Sequence, residues 1–168
     1  MKTFKRIILG LTLAVLTLTA SAGSMTNTYE NLIADALFRG QALSSTVPAN
    51  LYVALYTTAC TDAARGTEVS GGSYARIAVP RSLAAWLGTH GTATGASSGT
   101  TGTVANAAIV QFAAPTGNWG SVTAFGIEDA LTGGNQVVCG NLTVPKTVNN
   151  QDSAPSFAIG ALTVQIDS

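Results

Sequence analysis

Proton-transfer chemistry needs a side chain that gains and loses a proton near neutral pH, and this chain of 168 residues holds a single histidine. His90 falls within GTHGTATGASSGTTG (88–102), a run of Gly, Thr, Ser and Ala with no apolar period. Nothing rigid flanks it to hold an imidazole against a nucleophile, so a hydrolytic triad is not expected there. One histidine and two distant cysteines, Cys60 and Cys139, also fall short of a zinc ligand set. Glu128-Asp129 is the adjacent carboxylate pair. At a strand end such neighbours point to opposite faces and would not share one metal or substrate, so both read as solvated turn residues. A weak calcium site is the alternative if the strand breaks at Ile127. Glu68 and Arg76 bracket Gly71-Gly72 and are spaced to pair across that turn. The glycines near 71, 99 and 133 lack the strand–loop–helix setting of a phosphate cradle. No catalytic, cofactor-binding or metal-binding residue is therefore assigned, no cofactor is expected, and the chain reads as a non-enzyme.

Two further sets of residues bear on binding. Cys60 and Cys139 are a candidate disulfide if the chain is exported, although a cysteine inside an apolar strand also serves as a small hydrophobe. Among the aromatic residues, Trp119, Tyr56 and Tyr74 are the candidate partner or glycan contacts. Trp119, in the turn Pro115-Thr116-Gly117-Asn118-Trp119-Gly120, is the one expected to be partly exposed. Packing in the core is the default for all three. Asn141-Leu142-Thr143 matches a glycosylation sequon but falls within an expected strand.

Composition narrows the partners. Eight basic and eight acidic side chains cancel, 46% of residues are hydrophobic and 10% charged. That excludes a disordered chain, and the remaining arginines are too scattered to neutralise a nucleic-acid backbone. Lys2, Lys5 and Arg6 precede an apolar run, Ile7 to Leu18, and then Ala20-Ser21-Ala22. This is the three-part layout of a secretory signal peptide over residues 1–22, with an apolar run well short of the roughly 20 residues that cross a bilayer. Its removal would leave five basic against eight acidic side chains. No stable membrane span is then expected.

The elements follow from periodicity. Asn27 to Arg39 reads as a helix, with Asn27 as its cap, Glu30 three positions on, and an apolar stripe of Tyr29, Leu32, Ile33, Ala36 and Leu37 ended by Gly40. Residues 51–56, 74–80, 107–112, 122–127, 136–142 and 162–166 read as short strands, and Thr132-Gly133-Gly134-Asn135 as a tight turn between two of them. The expected fold is mainly β: an antiparallel β-sandwich or open barrel with one N-terminal amphipathic helix. Residues 23–168 would form this single domain, with a flexible loop at 88–102.

Several segments together resemble small tail-fibre-like virion proteins of tailed bacteriophages: TNTYENLIADALFRG, LYVALYTTACTD, GTEVSGGSYARIAVP, APTGNWGSVTAFGIEDALTGGNQVVCGNL and PKTVNNQDSAPSFAIGALTV. The resemblance runs from Met25 to the end of the chain. It implies a non-enzymatic, β-rich structural protein that self-associates or packs against other virion or surface proteins. A secreted adhesin or glycan-binding module is the alternative. Virion proteins assemble inside the host without an export signal, so the leader departs from this pattern. It implies a secreted location if native, and the virion if not.

Overall fold

A computed structural model describes residues 16–22, 24–43, 47–88 and 102–166. In chain order the elements are β1 (Thr17–Ala22), β2 (Ser24–Met25), α1 (Asn27–Phe38), β3 (Asn50–Tyr56), β4 (Ile77–Pro80), β5 (Trp86–Leu87), β6 (Thr103–Asn106), β7 (Val110–Gln111), β8 (Gly120–Glu128), β9 (Gln136–Val148) and β10 (Ser156–Gln165). The strands line up as β4-β3-β8-β9-β1-β10-β6-β5, with β2 added to β9 and β7 to β10. This is an open barrel, antiparallel except where β1 runs parallel to β10.

The sheet curves so that β8 faces β10, where Phe125 meets Phe157 edge-on with ring centroids 5.9 Å apart. Around that contact lie Val53, Leu55, Val122, Leu162 and Leu18, all essentially without solvent exposure. Strand β3 is covered on both faces. Val53 and Leu55 enter the main core, while Ala54 and Tyr56 join Ala124 and Cys139 in a small second cluster against Cys60. The segment after β3 thus folds back over the outer face of the sheet.

Local reading and fold differ in instructive places. The helix starts at the expected residue, but Thr26 is the cap position rather than Asn27. The Thr26 backbone carbonyl accepts from the N–H groups of Tyr29 and Glu30, both at 2.9 Å. Its hydroxyl turns away to donate to the carbonyls of Gln136 and Val137 on β9. Of the expected apolar stripe only Tyr29 is buried, and Leu37 is 72% exposed. Strand β4 begins at Ile77, not at residue 74, because the Tyr74 N–H closes a turn onto the Gly71 carbonyl. The 107–112 segment contracts to the two residues of β7. Asn106 diverts the preceding backbone by donating to the carbonyls of Ala108 and Ala158 while accepting from the Leu162 N–H. Most of the expected flexible loop, residues 89–101 with His90, lies outside the described residues. So do residues 1–15 of the expected leader, but its last six residues form β1.

Candidate functional site

Among the described residues, a concentration of ionisable groups forms where β3 and β8 end. Tyr56 is the last residue of β3 and Glu128 the last of β8, and both are fully buried. The Tyr56 hydroxyl donates to the Glu128 carboxylate. Arg65, from the segment after β3, clamps the same carboxylate with Nε at 3.1 Å and Nη2 at 2.5 Å. Arg76, 6% exposed, grips Glu68 with Nε at 2.8 Å and Nη2 at 2.7 Å, and its Nη1 stands 3.6 Å from Glu128 Oε2. The Tyr74 hydroxyl completes the group, donating to Glu68 Oε1 at 3.0 Å and accepting from the Leu55 N–H at 2.9 Å.

The arginines reach further, into the turn between β8 and β9. Arg76 Nη1 donates to the carbonyls of Ala130 (2.6 Å) and Gly133 (2.9 Å), and Arg65 Nη2 to that of Gly134 (2.9 Å). Asp129 braces the same turn from its other side, accepting from the Asn135 N–H at 2.6 Å and side-chain amide at 3.0 Å. It also receives the Tyr29 hydroxyl at 3.3 Å, which ties α1 to the body. Glu128 and Asp129 take different partners: the first meets Tyr56, Arg65 and Arg76, the second Asn135 and Tyr29. The expectation of two solvated carboxylates is corrected at Glu128, because two guanidinium groups come from elsewhere in the chain to meet it.

Room for this cluster comes from glycine. A Cβ on Gly126 would overlap the Tyr56 ring, lying 2.7 Å from its Cε2, and one on Gly66 would lie 2.9 Å from the Tyr56 Cβ. Both positions need a residue without a side chain for Tyr56 to lie flat against the sheet.

A buried set of charges can be a reaction centre, so its protonation matters. Burial alone would push the Glu68 carboxyl up, but the Arg76 hydrogen bonds and charge, with the Tyr74 hydroxyl, outweigh it and hold the pKa below the usual value. Hydrogen bonding to Glu68 pushes the Arg76 guanidinium further up. Burial, then the neighbouring carboxylates, raise all three tyrosines above their ordinary range, Tyr29 to about 12. Glu68, Arg76 and the three tyrosines are thereby held in their ordinary charge states. None of these five is poised to exchange a proton near neutral pH. The arrangement pins four chain segments together.

The sequence-derived binding residues are placed as follows. Trp119 is 5% exposed, not at the surface, because its indole Nε1 donates to the Gly72 carbonyl (2.9 Å) and its ring packs edge-on to Tyr74 at 5.4 Å. Phe112 stacks on Tyr74 at 5.9 Å and meets the Trp119 ring edge-on at 6.3 Å. Tyr56 is buried and Tyr74 half-buried, so these three offer no open aromatic platform for a sugar. Cys60 and Cys139 are joined, with Cα atoms 6.3 Å apart. The Glu68–Arg76 pair spans the Gly71-Gly72 turn with the Arg76 side chain 4% and the Glu68 side chain 26% exposed, so it is part-buried and not a surface pair. Among the described residues no group of three or more His, Cys, Asp or Glu could hold a metal ion. None of their helices is long and apolar enough to cross a membrane. Sequence reasoning did not bring Arg65 and Tyr56 to Glu128. Its one local signal was Gly126, a glycine inside an otherwise apolar strand, which marks a close approach.

The described residues form a β-rich open barrel whose buried charges hold its own turns, an arrangement suited to a structural role. The family comparison agrees: the profile described as podophage GP4 fiber I protein gp80 matches residues 24–165. The chain belongs to this phage fibre family, and it is a non-enzymatic, virion-fibre-like structural protein. No curated protein matches it.

Proposed function

We propose that the protein is an assembling subunit whose contacts are made with further copies of itself or with other proteins of the particle surface. Membership of a fibre family supports this reading. The observation that carries it is the far end of α1. The helix is held to the body through Tyr29, while Leu37 and Phe38 at its end stand 72% and 85% exposed. Two adjacent large apolar side chains on a lightly packed helix form a contact face for a second copy. Sedimentation over a hundredfold range of concentration tests this. Wild type should associate, and a Leu37→Ser/Phe38→Ser double variant should remain monomeric with unchanged thermal stability. Equal association by both would refute the assignment of the face.

The same proposal places the working protein outside the reducing cytoplasm. The Cys60–Cys139 bond supports that location, since disulfides persist in oxidising surroundings. So does the leader layout of residues 1–22. An intact-mass measurement on protein from its native source tests the leader: a chain starting at Gly23 agrees with export, and one retaining residues 1–22 refutes it.

A further inference from the structure

Strand β1 has an unusual place in the sheet. It lies between β9 and β10, pairing antiparallel with β9 at Ala20–Leu142 and parallel with β10 at Thr17–Ser156 and Leu18–Phe157 and, after a break in register, from Ala20–Leu162 to Ala22–Val164. No pairing joins β9 directly to β10 among the described residues, so β1 is the strand that hydrogen-bonds the two halves of the barrel together. Its side chains alternate as an inserted strand requires. Leu18 and Ala20 are buried in the main core, with Leu16 packed partly against it, while Thr17 and Thr19 are exposed. Backbone and side-chain bonds reinforce the seat: the Leu16 carbonyl accepts from the Ser156 N–H (3.2 Å), and that of Ala20 from the Thr163 hydroxyl (3.1 Å).

Three observations separate this strand from the body around it. No hairpin ties it to β9 or β10, which follow more than a hundred residues later, and Gly23 is its only link onward to β2. The family match starts at Ser24, so the flanking strands belong to the family body and the filler between them does not. The small-x-small sequence Ala20-Ser21-Ala22 falls at the end of the filler, where cleavage would sever it from everything that follows.

We propose that the gap between β9 and β10 is a strand-acceptor site. Its occupant is the chain's own Leu16–Ala22 segment, and a cut after Ala22 turns a fixed strand into an exchangeable one. Recognition rests on main-chain pairing along β10 and at Leu142 of β9, with pockets for apolar side chains at every second position. The site therefore selects an extended segment with the pattern of Leu16, Leu18 and Ala20.

The full chain, made by cell-free synthesis with a specific protease site introduced at Gly23, tests this. In the uncut chain the amides of residues 17–22 should exchange with solvent about a hundredfold more slowly than in the free peptide. After cutting, the severed segment should remain bound in native mass spectra. An isotope-labelled peptide of residues 16–22 should replace it one for one, and the same peptide carrying Leu18→Asp should not. Free-peptide exchange rates in the uncut chain would overturn the proposal. So would immediate loss of the segment with β9 and β10 protection unchanged. Unfolding on cutting would overturn it too, because the segment would then be an inseparable part of the fold.

Discussion

Replacing Glu128 by glutamine keeps the shape of the side chain and removes one charge from the cluster at the ends of β3 and β8. In the wild type Arg65 and Arg76 face Glu128 and Glu68, and the group is neutral. The substitution leaves a net positive charge around a position with no solvent exposure. At an effective dielectric constant of about 20, two unit charges 3–4 Å apart attract by roughly 4–6 kcal/mol before desolvation is subtracted. Breaking a buried pair by removing one partner costs about 3–5 kcal/mol, because the remaining charge stays in place without compensation. The Arg65 side chain is 31% exposed and can turn toward water, which places the expected loss near 3 kcal/mol. Urea denaturation is the suitable assay, since guanidinium salt would screen the interaction under test. With a slope of about 2 kcal/mol/M the midpoint should fall by about 1.5 M. The exposed Asp35–Arg39 pair on α1 provides the control: its side chains are 35% and 73% exposed, and Asp35→Asn should change stability by less than about 0.5 kcal/mol. If Glu128→Gln costs no more than Asp35→Asn, the cluster does not pin the barrel and the account of it fails.

Reduction of the Cys60–Cys139 bond opens a loop spanning 79 positions, for which the chain-entropy model gives a loss of about 4–5 kcal/mol. A chemical melt with and without dithiothreitol measures it, and an unchanged midpoint would refute a stabilising role. Stability should also fall at both ends of the pH scale. The folded Glu68 pKa lies below its unfolded value, so its contribution is complete above about pH 4.3 and disappears as pH falls through the folded value. Tyr29 is raised to about 12, and Tyr56 and Tyr74 move the same way. Their contribution is complete below about pH 10 and is lost as pH rises through the folded values. Urea midpoints from pH 3 to 11 should trace a plateau with both flanks. An acid flank that is the same in Glu68→Gln would contradict the assignment.

What could be read from sequence divides according to where the information lies. The cores of β3, β8 and β10 and the body of α1 announce themselves because each carries its own period, and Leu162, Val164 and their polar neighbours show it clearly. Strands of two to four residues such as β5, β6 and β7 have no room for a period. Their place is set by partners, among them the Asn106 side chain, which satisfies backbone on two other segments. The charge cluster was hidden for a related reason. Glu128 follows an apolar run and precedes a turn, which locally signals solvent, while Arg65 and Arg76 stand 63 and 52 positions away.

Strand β1 presents a different difficulty, because its sequence fits two patterns at once. Leu16-Thr17-Leu18-Thr19-Ala20 closes an apolar run behind a basic start, as a leader does, and it alternates apolar with threonine, as a half-buried strand does. Composition cannot separate the two readings, since both call for apolar residues, threonine and small side chains. Register can: only a strand requires Leu18 and Ala20 to share one face, and the sheet buries that face while leaving Thr17 and Thr19 in solvent. A leader selected solely for export would have no need of that alternation. Its presence ties the segment's sequence to the gap between β9 and β10 as well as to any role in export.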